Sequence, residues 1–228
     1  MKHSLPDRFL SRRGCVALFS LLLLAVAPGA AFADSLGDFF RAVKMDDSTT
    51  ISGLLQRGLS PNLVEENRGE TGLMLALRED SNKVFDVLLN APSVDLEARA
   101  KNGDNALMIA AYKGNAAAVK ALLAKEVEVN KQGWTALHYA ATIGNDEIVK
   151  LLLDDSAYID AESPNSTTPL MMAAGKGHVS TVKLLMDEGA DASLKNNVGM
   201  TALDFARESD MRSVFDDMTA LLGKSGKP

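Results

Sequence analysis

The sequence predicts an all-α solenoid of about six helix-turn-helix repeats. A six-residue phrase recurs five times, as TGLMLA, NALMIA, TALHYA, TPLMMA and TALDFA, and its copies begin at Thr71, Asn105, Thr135, Thr168 and Thr201. The starts are 34, 30, 33 and 33 residues apart, and a degenerate sixth copy begins near residue 37. A period of this length is typical of stacked repeats in which each copy is one supersecondary unit.

The copies also agree column by column. An alanine stands five residues into every copy, at Ala42, Ala76, Ala110, Ala140, Ala173 and Ala206. The second half of each copy has apolar residues at spacings of three and four, as in Val149, Leu152 and Leu153, which predicts a helix. Glycine at Gly144 and at equivalent positions suits a tight turn between two helices. One helix pair cannot bury both of its faces, so the pairs are expected to stack.

The phrase and the second-helix pattern together resemble the ankyrin repeat. The resemblance is clearest in the segment TALHYAATIGNDEIVKLLL, which begins at Thr135, and it covers nearly all of the chain after residue 33. It implies two antiparallel helices per repeat, short β-hairpin fingers between repeats, and a concave surface that binds another protein. It also implies that His138, the one histidine of the phrase that is retained, links adjacent repeats by hydrogen bonds.

The ends of the second helices depart from the family pattern in three repeats. Gly58 and Gly189 occupy the helix-ending position that commonly adopts a left-handed conformation. Pro92, Glu126 and Ser156 stand there in the other repeats. The corners at these three residues are therefore expected to differ.

The first 33 residues are expected to be a secretory signal peptide. Basic residues precede an apolar run from Val16 to Ala27, and the small residues of a cleavage site follow up to Ala33. This order is typical of a signal peptide, and the run is shorter than the roughly 20 residues that span a membrane. The expected organisation is a signal over 1–33, a repeat domain over 34–223 that begins at Asp34, and a tail over 224–228.

Removal of the signal would leave an acidic chain without cysteine. Residues 34–228 contain 20 basic and 29 acidic side chains, a net charge of −9, and the only cysteine is Cys15. An acidic protein is a poor ligand for nucleic acid or anionic lipid, and a cysteine-free chain forms no disulfide in an oxidising compartment. We therefore expect a monomer in the periplasm, or alternatively a secreted one, with no nucleic-acid partner and no membrane attachment after cleavage.

Few residues could support catalysis or bind a metal. His138 and His178, the two histidines after residue 33, occupy framework positions, whereas a catalytic triad requires three converging groups. Three methionines occupy equivalent positions in the phrase, at Met74, Met108 and Met171. Stacking would place them about 8–10 Å apart, too far to share an ion, and methionine readily fills irregular core space. The sequence predicts no enzyme activity, no cofactor and no metal site.

The predicted binding surface consists of variable positions on the fingers and the first helices. By family resemblance it contains Asp104, Tyr112, Lys113, Trp134, Tyr139, Thr142, Ile143, Pro164, Asn165, Thr167, Lys176, Val198 and Met200. Its centre is expected at Trp134, because about three residues are missing before Thr135 and the shortened finger should leave a notch. Tyr112 and Tyr139 should gather beside Trp134. The alternative is that Trp134 only covers the core that the short finger leaves bare.

The sequence therefore predicts a protein that recognises another protein. A preformed surface loses little conformational entropy on association. The expected role is that of an adaptor or inhibitor of another exported protein. A structural cell-envelope component without a soluble partner is the alternative.

Overall fold

The computed structural model describes residues 28–208 and 212–225, and this part of the chain is helical without any β-strand. Six inner helices contain the repeated phrase: α1 (Pro28–Lys44), α3 (Gly72–Arg78), α5 (Ala106–Tyr112), α7 (Ala136–Ile143), α9 (Pro169–Lys176) and α11 (Ala202–Glu208). Six outer helices alternate with them: α2 (Ser48–Gln56), α4 (Asn82–Leu89), α6 (Ala116–Leu123), α8 (Asp146–Asp154), α10 (Val179–Asp187) and α12 (Arg212–Ser225). The predicted all-α helix-turn-helix solenoid is confirmed.

The first residue of the phrase caps the inner helix that follows it in α3, α5 and α9. Thr71, Asn105 and Thr168 have extended backbones, and their side-chain oxygens accept hydrogen bonds from the backbone N–H three residues later. These bonds satisfy a donor that has no partner within the helix. The recurring threonine or asparagine of the phrase is thus a helix-start signal.

The alanine pairs of the inner helices form the centre of the stack. Each inner helix packs against the next, from α1 through α11. The paired alanines at the middle of α5, α7 and α9 have almost no exposed surface: Ala110, Ala111, Ala140, Ala141, Ala173 and Ala174. Their small side chains let neighbouring helices approach closely. Met74, Met108 and Met171 are also buried in this core, as the space-filling interpretation predicts.

The turn between inner and outer helices has a left-handed residue in five repeats. Glycine provides it at Gly114, Gly144 and Gly177, and aspartate provides it at Asp46 and Asp80. At Gly144 the requirement is strict, because an added Cβ would lie 2.5 Å from Nδ1 of His178. The expected glycine turn is therefore present, with aspartate as its substitute in the first two repeats.

The corners after the outer helices are more uniform than the sequence predicted. Glu126 and Ser156 adopt the left-handed conformation with φ values of 60° and 66°, as Gly58 does with 88°. The expectation that these two corners differ is wrong. In the second repeat the left-handed residue is Ser93, because the ring of Pro92 fixes its own φ at a negative value.

The terminal helices extend past the predicted domain boundaries. Helix α1 begins at Pro28, so the expected cleavage site between Ala33 and Asp34 lies within it. Helix α12 continues to Ser225, two residues beyond the expected end of the repeat domain at 223. Residues 1–27 of the expected signal and residues 226–228 of the expected tail lie outside the described residues.

Within the described ranges, none of the helices has both the length and the apolar character needed to cross a membrane.

Candidate protein-binding surface

Five fingers connect consecutive repeats, and they are turns. We number them 1 to 5 for residues 65–70, 100–104, 130–134, 163–167 and 196–200. Fingers 2, 4 and 5 are each closed by a hydrogen bond from the first backbone N–H to the last carbonyl oxygen: Ala100 to Asp104, Ser163 to Thr167 and Asn196 to Met200, at 2.9, 3.1 and 3.0 Å. The equivalent bond in finger 1 joins Glu65 to Glu70 at 2.9 Å. The expected β-hairpins are thus reduced to closed turns, and the described chain has one isolated bridge, between Val64 and Thr71.

Finger 3 is open. None of the backbone hydrogen bonds between described residues closes residues 130–134 on themselves. The segment from the corner at Glu126 to Thr135 is three residues shorter than the segment from Ser156 to Thr168, as the 30-residue spacing predicts. Gly133 takes a left-handed conformation with φ of 93°, and Gln132 is exposed. Backbone N–H and C=O groups of this finger are therefore available to a binding partner.

Hydrogen bonds between fingers are interrupted at the same place. The N–H of Lys101 in finger 2 donates to the carbonyl of Arg68 in finger 1 at 2.9 Å, and Asn197 in finger 5 donates to Asn165 in finger 4 at 3.0 Å. Pro164 occupies the equivalent donor position of finger 4 and has no N–H to donate. Finger 3 thus lies between two neighbours to which no backbone hydrogen bond of the described chain joins it.

Trp134 lies at the base of finger 3, with 36% of its surface exposed. Its ring packs edge to face against the imidazole of His138, with centroids 5.2 Å apart. Nδ1 of His138 accepts the backbone N–H of Thr135 at 3.2 Å, so Nε2 carries the proton and donates to the carbonyl of Thr167 at 2.9 Å. Burial lowers the pKa of His138 to about 4. The neutral imidazole of His138 therefore packs against the ring of Trp134 and, through its bond to Thr167, connects this ring to finger 4.

Tyr112 and Tyr139 meet on the inner face, as predicted. Their rings are in edge-to-face contact with centroids 5.8 Å apart, and Tyr112 is 50% exposed. The hydroxyl of Tyr139 donates to Oδ1 of Asp104 at 2.6 Å. Burial and this carboxylate raise the pKa of Tyr139. The tyrosine pair is thus held in one orientation by a bond from α7 to finger 2.

The predicted gathering of three aromatic rings is realised only in part. Tyr112 and Tyr139 pair with each other, whereas the ring partner of Trp134 is His138. Trp134 therefore belongs to the base of finger 3, and the tyrosines belong to the inner helices beside finger 2.

Two of the predicted contact residues lie in the interior. Asp104 is 8% exposed and Thr167 is 2% exposed. The Asp104 carboxylate is occupied by Tyr139, and finger 4 turns the Thr167 side chain inward while the Thr167 backbone bonds to Ser163 and His138. Their roles are to support the surface, because neither presents its side chain to a partner.

The other predicted residues lie at or near the surface. Pro164, Asn165 and Lys176 are exposed, and Ile143 is half-buried. Lys113 donates to the carbonyl of Arg78 at 2.9 Å and to Asp80 at 2.8 Å. Thr142 donates to the carbonyl of His138 at 2.7 Å, and its own carbonyl is 2.9 Å from Nε2 of His178. Both predicted framework histidines thus make hydrogen bonds between repeats.

Sequence reasoning missed an ion pair and one exposed apolar residue beside finger 1. Val64 is 51% exposed, and Val198, which the sequence predicted in the binding surface, is 77% exposed. Arg78 pairs with the buried carboxylate of Glu70 in finger 1. The sequence offered a signal for Val64, an apolar residue directly before a finger. It offered none for the ion pair, because its two residues share no column of the repeat. In the described residues no three His, Cys, Asp or Glu side chains converge as metal ligands would.

Comparison with known proteins assigns this architecture to a family. A family model of three ankyrin repeats matches residues 73–163 and 157–226, which together are more than half of the chain. The chain belongs to the ankyrin-repeat family. Ankyrin repeats are protein-interaction modules, and the fingers and inner helices described above are the parts of the ankyrin solenoid that form its concave side.

The ankyrin repeats of several curated proteins are similar to this chain. Human SH3 and multiple ankyrin repeat domains protein 2 is 37% identical over 158 residues, which are 67% of this chain and 8% of that protein. Chicken nuclear factor NF-kappa-B p105 subunit is 30% identical over 183 residues, which are 77% of this chain and 18% of that protein. This chain thus corresponds to a small part of each relative.

One solved structure shows how far the similarity of fold extends. The crystal structure of the ankyrin repeat domain of Bcl-3, described as a unique member of the IkappaB protein family, superposes with a TM-score of 0.67 at 29% identity. The alignment covers 79% of this chain and 81% of that one. The similarity therefore extends over most of the repeat stack.

Proposed function

We propose that this protein is an exported ankyrin-repeat protein that binds another exported protein, as its adaptor or inhibitor, through the surface centred on finger 3. In this proposal the signal is removed before Asp34, and the monomeric product acts in the periplasm, or outside the cell, without catalysing a reaction. The coarser part of the function, protein recognition, rests on the family. The finer part rests on the properties of the surface around Trp134.

The observation that carries the proposal is an open finger beside exposed aromatic rings. Trp134 and Tyr112 present 36% and 50% of their surfaces to solvent. Tryptophan and tyrosine are enriched among the residues that dominate binding energies. Unpaired backbone groups of finger 3 add hydrogen-bonding capacity next to these apolar rings. A partner loop that enters beside finger 3 would meet both kinds of contact.

The surface is also held in place before any partner arrives. His138 supports Trp134, and Asp104 fixes Tyr139, the ring partner of Tyr112. A surface that is ordered in advance loses less conformational entropy on association than a flexible one. Binding should therefore leave the repeat stack unchanged.

A pull-down with matched variants tests this proposal. Protein expressed from the full-length chain is immobilised as wild type, Trp134→Ala, Tyr112→Ala and Met45→Ala, and is exposed to soluble extract of the compartment into which the host exports it. Met45 is an exposed apolar residue between α1 and α2, in the first repeat. We expect one stoichiometric partner on the wild type and the Met45 variant, with at least tenfold less on the other two.

Two results would contradict the proposal. Equal capture by all four proteins would place the binding surface elsewhere. A protein recovered only with the insoluble envelope, with no stoichiometric soluble partner on the wild type, would support the structural envelope component instead.

A further inference from the structure

A groove of about 570 Å³ lies at the N-terminal end of the inner face. It is bounded by α1, by α3 and by finger 1 with the residue before it. Its apolar lining comes from Leu36 and Phe40 of α1, Leu75 of α3 and the exposed Val64. A concave site of this size with an apolar lining and a few polar groups is typical of a ligand-binding site.

One wall of the groove is formed by α1, which is longer than the inner helices that follow it. This helix has 17 residues, 11 of them from Asp34 onward, whereas α3 has seven and α7 has eight. Gly37 stands at the start of the repeated phrase and Leu36 directly before it. Both residues line the groove opposite finger 1. The other inner helices begin at or after the phrase and provide no such wall.

The charged side chains of the groove are predominantly acidic. Four carboxylates line it, at Glu65, Glu66, Glu70 and Glu79, against the two cations Lys44 and Arg68. Glu66 and Glu79 are exposed. Glu65 stays ionised, because the backbone N–H groups of Asn67 and Arg68 donate to it and lower its pKa against the effect of burial. The excess of negative charge favours a cationic occupant.

Glu70 supplies an acceptor that the protein leaves without a hydrogen bond. The side chain is 1% exposed, and Arg78 bonds to its Oε1, with Nε at 2.7 Å. Its Oε2 has no hydrogen-bond partner, and Nη1 of the largely exposed Arg68 is 4.0 Å away. A buried carboxylate oxygen without a donor carries a desolvation penalty, which an incoming donor relieves.

We propose that this groove binds a protein segment that presents an arginine or lysine next to an apolar side chain. The apolar side chain packs on Phe40, Leu75 and Val64. The cation displaces the Arg68 side chain, donates to Oε2 of Glu70 and lies between the exposed carboxylates of Glu66 and Glu79. Arg68 therefore acts as an internal competitor for the carboxylate.

This groove is separate from the surface around Trp134 and does not depend on the function proposed for it. It belongs to the first and second repeats, whereas finger 3 joins the third and fourth. The proposal for the groove and the proposal for the finger 3 surface can therefore be tested independently of each other. A partner that occupies both would contact the inner face along much of its length.

Nuclear magnetic resonance with a minimal probe tests the groove directly. Uniformly ¹⁵N-labelled protein, expressed from the full-length chain, is titrated with N-acetyl-leucyl-arginine amide. The matched neutral probe is N-acetyl-leucyl-citrulline amide, which has nearly the same shape without the charge. We expect saturable amide shifts confined to Phe40, Val64, Glu70 and Glu79 with the arginine probe, and at least fivefold weaker binding of the citrulline probe.

Two exposed substitutions should change the affinity in opposite directions. Arg68→Ala removes the competitor and is expected to tighten binding of the arginine probe at least threefold. Glu79→Gln removes a rim charge and is expected to weaken binding at least threefold. Glu126→Gln, an exposed carboxylate at an outer corner, is the control and should leave the affinity unchanged.

The inference fails if the arginine probe gives no saturable shift at 50 mM, shifts residues outside the groove, or binds no better than citrulline. It also fails if Arg68→Ala weakens binding, because Arg68 would then be part of the site and not a competitor. Intrinsic tryptophan fluorescence reports the finger 3 surface separately, since Trp134 is the only tryptophan of the chain.

Discussion

The imidazole of His138 in α7 donates a hydrogen bond from Nε2 to the carbonyl oxygen of Thr167 in finger 4, over 2.9 Å. The bond spans two repeats and lies beneath the ring of Trp134. In the second, third and fifth repeats the same position of the phrase holds Met74, Met108 and Met171. His138 thus stands beside finger 3, and Asp204 is the other polar residue of this column.

His138 should make the stability of the protein depend on pH. Burial lowers its pKa to about 4, whereas an unfolded histidine titrates near pH 6.5. Between these values the unfolded state binds more protons, so stability is full above about pH 6.5 and is lost as the pH falls towards 4. This linkage predicts a loss of about 2 kcal/mol between pH 7.5 and 5.0 in urea unfolding.

The substitution His138→Met isolates this effect, because methionine occupies the column in three other repeats. The variant should be less stable at pH 7.5, through loss of the bond to Thr167. Its change in stability between pH 7.5 and 5.0 should be smaller than that of the wild type by the same amount, about 2 kcal/mol. An unchanged difference would show that other groups cause the pH dependence.

Tyr139→Phe should destabilise the fold although it removes a single oxygen. The variant leaves Oδ1 of the buried Asp104 without its donor at 2.6 Å, and a buried acceptor without a partner costs about 1–3 kcal/mol. Tyr112→Phe is the matched control, since the same ring on α5 is half exposed. Urea unfolding at pH 7.5 compares the two, and equal midpoints would show that the Asp104 bond contributes no net stability.

Ala140→Leu should be severely destabilising. Ala140 is fully buried in α7, where inner helices touch, and overpacking of such a site costs about 1–3 kcal/mol or more. Ala117→Leu on the exposed face of α6 adds the same atoms without a neighbour to displace. Thermal melts should show a markedly lower midpoint for Ala140→Leu alone. Similar melts for both variants would mean that the alanine column tolerates larger side chains.

Intact-mass measurement of protein from the native host tests the expected processing. We expect a chain that begins at Asp34, since an apolar run followed by small residues up to Ala33 is typical of a signal peptide. A mass that includes residues 1–33 would contradict both the cleavage and the export that the proposed function requires.

The fold could be predicted from the sequence because each repeat encodes the same local choices. The repeats share a capping threonine or asparagine, a buried alanine and a second amphipathic helix, all at one period. Each of these features determines the structure of residues close to it in the sequence. The shortened segment before Thr135 was visible for the same reason, since residues can be counted against the period. Local signals were insufficient at Glu126 and Ser156, where stacking imposes a left-handed corner on residues that do not prefer it.

The sequence by itself determined the repeat, the two helices of each copy and the place where about three residues are missing before Thr135. Only the tertiary structure decided which variable residues reach the surface. Asp104 lies in the interior because Tyr139, 35 residues away, approaches it from the next inner helix. The acidic groove exists because a long α1 lies opposite finger 1. The repeated sequence pattern predicts the local structure within each repeat. Contacts between side chains of different columns form only when the repeats are stacked, so the pattern does not predict them.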